Sequence, residues 1–176
     1  MTTRDKITVS SQDVSSQGRA AQDHLPGQRG FDRRYDVQGL DAIDVAVLDT
    51  FPHVREDDPL AYPGEPMEIV ISTDEFSPVC PWSGLPDFGR LEFRYRPRDV
   101  WMELKSFKYY LTSYRFVGIY HEHATRRVLG DLVRLLDPLT LSVSADYGLR
   151  GGIQTVCTAR YSAPDRLPGQ DAGRRG

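Results

Sequence analysis

The stretch LKSFKYYLTSYRFVGIYHEHATRRVLGDLVRLLDP, residues 104–138, decides the fold. Leu104, Phe107, Leu111 and Tyr114 recur at the three- and four-residue steps of one helix face. After Gly118 a second apolar set, Ala124, Val128, Leu132, Leu135 and Leu136, continues the period until Asp137-Pro138 stops it. Two helices in tandem are therefore expected. Upstream, residues 67–73 carry Met67, Ile69 and Ile71 on one face, and residues 90–96 alternate Leu91, Phe93 and Tyr95 with charged residues, as strands do. Downstream, Leu141, Val143 and Ala145 alternate with polar residues; beyond Gly148, Gly151 and Gly152, residues 153–161 are β-branched and aromatic, which predicts a closing hairpin. The order is β-β-α-α-β-β, an α+β fold in which an antiparallel four-stranded sheet carries two tandem helices on one face. Such a sheet has open edges, and pairing with further copies into a barrel closed between subunits removes them, so a homo-oligomer is expected.

The 176 residues, 39% of them apolar, suffice for one domain without disulfides or metals. Residues 1–30, rich in Ser, Gln, Asp, Gly and Arg without a period, are expected to form a flexible N-terminal tail. Residues 162–176, with Pro164, Pro168, Gly169, Gly173 and Gly176 among charges, are expected to form a flexible C-terminal tail. The catalytic domain is then 31–161. A formal net charge of −3 gives no basic field for nucleic acid or an anionic membrane, which points to a small-molecule partner. Apolar runs fall far short of the roughly 20 residues that span a bilayer, and no apolar signal core opens the chain, so a cytoplasmic location is expected. There Cys80 and Cys157 are expected to stay reduced. No strand–GxGxxG–helix unit is present, so a dinucleotide must bind by other means.

Three stretches carry chemistry. In Phe76-Ser77-Pro78-Val79-Cys80-Pro81-Trp82-Ser83-Gly84-Leu85-Pro86-Asp87-Phe88, three prolines stiffen a loop that holds a thiol and an acid seven residues apart. Cys80 can attack an electrophilic carbon while Asp87, kept protonated by burial, protonates the atom that becomes negative; the alternative is a buried structural cysteine beside a capping aspartate. In Met102-Glu103-Leu104-Lys105-Ser106-Phe107-Lys108, two lysines and a hydroxyl at a helix start can grip phosphate, although Lys-x-x-Lys by itself also describes a solvated helix face. In Tyr120-His121-Glu122-His123, Glu122 can accept two hydrogen bonds from an amidine-like or guanine-like edge and His121 can move a proton near neutral pH; an ordinary polar helix start is the alternative. His121 and His123 diverge on a helix and no Cys/His set accompanies them, so no metal is expected; Cys157 receives no role.

Taken together, Cys80-Pro-x-Ser-Gly-x-Pro-Asp87, Glu103-Leu-Lys-Ser-Phe-Lys108 and His121-Glu122 resemble, in type and order, the single-module NADPH-dependent 7-cyano-7-deazaguanine reductases of queuosine biosynthesis. The likeness covers approximately residues 45–160, and the helix motif is its most family-specific element. Trp82 after the Cys-Pro pair, Tyr120 where Phe is common, and the long N-terminal tail depart from the family pattern. The resemblance implies a tunnelling fold, with sheets from several subunits closed into a barrel and active sites between neighbouring chains. It implies that Cys80 adds to the nitrile to form a thioimide, that Asp87 donates the proton, and that two NADPH molecules deliver hydrides in turn. By the same likeness, His121 and Glu122 hold the deazaguanine, Met102, Glu103 and Leu104 complete its pocket, and Lys105, Ser106 and Lys108 bind the cofactor. An amidinotransferase acting on the same nitrile should lack the Glu-Leu-Lys-Ser-Phe-Lys motif, and a zinc-dependent GTP cyclohydrolase needs a metal set. A non-catalytic purine-binding subunit would form no covalent adduct.

Overall fold

The computed structural model describes residues 37–52 and 67–164, so the expected tails at 1–30 and beyond 164 lie outside the described residues. In chain order the elements are β1 (Thr50–Pro52), β2 (Ile69–Phe76), β3 (Gly89–Arg96), β4 (Val100–Met102), α1 (Leu104–Thr112), α2 (His121–Leu136), β5 (Thr140–Arg150) and β6 (Ile153–Ser162). One antiparallel sheet runs β2-β3-β5-β6, so the four expected strands and two tandem helices stand in the expected order. One difference is of detail. The second helix begins at His121, soon after Gly118, and β1 and β4 form a small antiparallel sheet that periodicity does not reveal. Strands of three residues are too short to show alternation.

Alternation decides which face of the large sheet is covered. Leu91, Phe93 and Tyr95 of β3 and Leu141, Val143, Ala145 and Tyr147 of β5 are buried, while Arg90, Glu92, Arg94, Ser142 and Ser144 point to the other side. Phe107 of α1 meets Phe93 edge-on at 5.0 Å, and Val128, Leu132 and Leu136 of α2 are fully buried. Each large apolar side chain removed from water in this layer stabilises the fold by about 1.5–3 kcal/mol. The uncovered face is polar and alternates as a solvated antiparallel face does.

Buried tyrosines tie the elements together, because a buried hydroxyl needs a partner. The Tyr95 hydroxyl accepts from the Met102 amide at 3.0 Å and fixes the start of α1 over β3. Tyr110 and Tyr114 share a hydrogen bond at 2.8 Å, and Tyr110 donates to Asp131 of α2, also at 2.8 Å. Between β5 and β6, Gly151 and Gly152 turn with φ of +57° and +83°, the left-handed values that a two-residue hairpin turn of matching twist demands.

Candidate active site

The loop between β2 and β3 folds back on itself. Cys80 N–H donates to Leu85 O at 2.9 Å, Gly84 N–H to Cys80 O at 2.8 Å, and Asp87 N–H to Pro78 O at 2.7 Å. Seven residues of separation thereby become neighbours across a miniature hairpin, closed by a bridge between Val79 and Pro86. The same Val79 pairs with the segment leading into α2: its N–H reaches Val117 O at 3.1 Å, and Ile119 N–H reaches Val79 O at 3.2 Å. A Cβ at Gly118 would lie 2.3 Å from a methyl of the exposed Val37, which would have to shift, and 3.5 Å from Pro81. This seam carries the first residue of α2, His121, to the loop.

Asp87 and His121 meet, and Cys80 stands on the same folded loop as Asp87. His121 Nε2 lies 3.3 Å from Asp87 Oδ2, and the Asp87 side chain is 3% exposed. The His121 ring stacks on Tyr147 at 3.7 Å with planes 8° apart, and the Tyr147 hydroxyl lies 3.4 Å from His121 O. Burial raises the Tyr147 hydroxyl well above its ordinary pKa, so it stays a neutral donor. Burial also pushes the Cys80 thiol up, but hydrogen bonds from the Ser83 hydroxyl and from the Ser83 and Trp82 amides outweigh it, and the thiol sits below its ordinary value with Asp87 opposing. Hydrogen bonds to the charged form favour a thiolate, which is the nucleophilic species.

Three partners escape the sequence reading. Ser83 is legible afterwards as a hydroxyl three residues beyond the cysteine. Tyr147 and Arg150 are not, because they come from β5, far along the chain. Arg150 donates to Pro86 O at 3.0 Å, and its guanidinium meets Asp87 Oδ1 as an ion pair that lacks the alignment of a hydrogen bond.

Of the remaining expected residues, Glu122 adjoins the site and the others lie away from it. Glu122 is exposed in the first turn of α2 beside His121. Met102 is buried and Leu104 exposed. Glu103 caps α1, accepting from the Lys105 and Ser106 amides at 2.9 and 2.6 Å, so the amides that the sequence leaves free for phosphate are already occupied. The Ser106 hydroxyl donates to Glu103 O at 2.7 Å and accepts from the Asp49 amide at 3.0 Å, which uses its only proton. Lys105 lies 6.0 Å above the Tyr109 ring, and Lys108 lies 3.5 Å from Glu75; both are exposed. Six strand steps, about 20 Å, separate Gly89, next to the Asp87 loop, from Tyr95, which holds Met102. Among the described residues no group of three or more His, Cys, Asp or Glu side chains could hold a metal, and no helix is long and apolar enough to cross a membrane.

The layout is that of an α+β protein of the tunnelling-fold type, with a thiol poised beside a buried His–Asp pair. A solved structure described as the archaeosine synthase QueF-Like in the apo form shares this fold, with a TM-score of 0.53 at 23% identity over 57% of this chain and 98% of that one. A family model for a QueF-like protein matches residues 86–166. The NADPH-dependent 7-cyano-7-deazaguanine reductase of Caldicellulosiruptor bescii is 48% identical over 129 residues, 73% of this chain and 93% of that protein. Its namesake in Thermomicrobium roseum is 52% identical over 99 residues, 56% of this chain and 77% of that protein. The chain belongs to the family of NADPH-dependent 7-cyano-7-deazaguanine reductases.

Proposed function

We propose that the chain reduces the nitrile of 7-cyano-7-deazaguanine to the amine of 7-aminomethyl-7-deazaguanine through a covalent bond at Cys80. The observation that carries the reading is a thiol held below its ordinary pKa next to the buried Asp87–His121 pair, in a chain 48% identical to a reductase of that name. The Cys80 thiolate bonds to the nitrile carbon, and the nitrogen takes a proton from the Asp87–His121 pair, giving a thioimide. The carbon–sulfur bond breaks once that carbon has been reduced, returning the thiolate and leaving an imine, and the same pair supplies the proton that completes the amine. NADPH supplies one hydride for each of the two reductions, so one nitrile, two NADPH and two protons give one amine and two NADP+.

Lys105 and Lys108 are the groups that would hold the cofactor phosphates, with Ser106 shaping the turn that carries them. His121 and Glu122 would hold the deazaguanine, since a carboxylate matched to its donor edge rejects bases that leave it unpaired. Met102, Glu103 and Leu104 lie too far from Cys80 along one chain to join the same pocket, which favours a site completed by a second copy in a homo-oligomer whose sheets close into a barrel. Two free cysteines, one of them the nucleophile, suit the reducing cytoplasm.

The test is intact-protein mass after mixing with 7-cyano-7-deazaguanine, before and after NADPH, with Cys80→Ala alongside. An adduct on the wild type alone that disappears as NADPH is oxidised is expected. An adduct indifferent to NADPH would indicate amidine transfer, and no adduct would overturn the reading.

A further inference from the structure

At the rim of the site, Trp82 Nε1–H donates to the Tyr120 hydroxyl at 2.6 Å. Trp82 is 85% exposed and Tyr120 46%, so neither ring is held by core packing. Both ends of this bond adjoin the chemistry. Trp82 stands two residues after Cys80 in the same turn, and Tyr120 immediately precedes His121, which meets Asp87. The Tyr120 ring is itself set edge-on to His123 at 5.8 Å. Backbone bonds from Val79 pin the base of the loop and Pro81 packs against Gly118, while the Trp82–Tyr120 bond is the side-chain hydrogen bond that joins the turn from Cys80 to Leu85 to the start of α2 among the described residues.

We propose that the Trp82–Tyr120 hydrogen bond is a positioning strut, holding the turn that bears Cys80 against the start of α2 so that a planar aromatic nitrile is received between the thiol and the His121–Asp87 pair. It deepens the reading given under the proposed function and rests on it for the identity of the substrate. Neither residue touches the reacting atoms with its side chain, so both act through others.

The strut is tested with Tyr120→Phe, Trp82→Phe and the double variant in the full chain, reading the rate of adduct formation with 7-cyano-7-deazaguanine by mass. Each single substitution is expected to slow the adduct about three- to tenfold, the ordinary worth of one such hydrogen bond. The double variant should be no slower than the worse single one, because both remove the same bond. The NADPH KM and the melting temperature should stay at wild-type values. Unchanged adduct rates, penalties that multiply, or losses that follow a falling melting temperature would overturn the proposal. If the wild type forms no adduct, the functional reading fails separately, and iodoacetamide labelling of Cys80 at pH 7, located by peptide mass, decides the strut. Labelling slowed about threefold in Tyr120→Phe supports it, since a looser turn weakens the amide bonds to sulfur, and equal labelling overturns it.

Discussion

Replacing Asp131 by Ala removes a carboxylate with no solvent exposure that joins α2 to α1. Its Oδ2 accepts from the Tyr110 hydroxyl and from Arg127 Nε, both at 2.8 Å, and its Oδ1 meets the Arg134 guanidinium. The three contacts are not equal. Arg134 is 69% exposed and water replaces its partner, so it contributes close to nothing, while Arg127 at 33% exposure loses about 1 kcal/mol. The Tyr110 hydroxyl is fully buried and keeps only Tyr114, so a charge-assisted bond of about 1.5–3 kcal/mol is lost there. The expected destabilisation is about 3 kcal/mol, or about 10 °C in melting temperature for a domain of this size. Urea and thermal unfolding at one fixed protein concentration measure it, since association would otherwise shift the midpoint. Tyr110→Phe and the double variant complete a cycle whose coupling should be about 1.5 kcal/mol or more. A loss below about 1 kcal/mol, or additive single effects, would refute the ranking of burial over contact number.

The two cysteines should separate with pH. Cys80 lies below its ordinary value, whereas burial and then the Glu122 charge raise Cys157, so iodoacetamide labelling should rise through its midpoint below pH 9 at Cys80 and above it at Cys157; Ser83→Ala should move the Cys80 midpoint up, because a bond to the thiolate is lost. Lys105→Ala and Lys108→Ala should each raise the NADPH KM about tenfold with little change in kcat, as steady-state kinetics would show, if the two ammonium groups bind without entering the chemistry. Gly152→Ala, at φ +83°, should cost about 1 kcal/mol in urea unfolding through backbone strain, because nothing within 4 Å would obstruct the added methyl.

Much of this protein is local and therefore legible in its sequence. The periods of Leu104 to Leu136 define α1 and α2, alternation in β3 and β5 defines the buried face, and the prolines around Cys80 mark a stiff loop with a thiol and an acid. Those features depend on residues a few positions apart, where backbone geometry alone sets which side chains share a face. The tertiary structure decided which groups meet. That Arg150 and Tyr147 of β5 reach Asp87 and His121, that Val79 docks beside Gly118, and that Trp82 bonds Tyr120 all follow from long-range pairing and register. It also decided that Glu103 occupies the amides at the start of α1, since a carboxylate at a helix start can either cap or face outward, and only the packed chain, with Ser106 bonded to Asp49, selects the cap. A one-residue change of register would reverse every contact across a sheet while leaving each strand's own pattern intact, which is why the sequence names the reacting groups and only the fold assembles them.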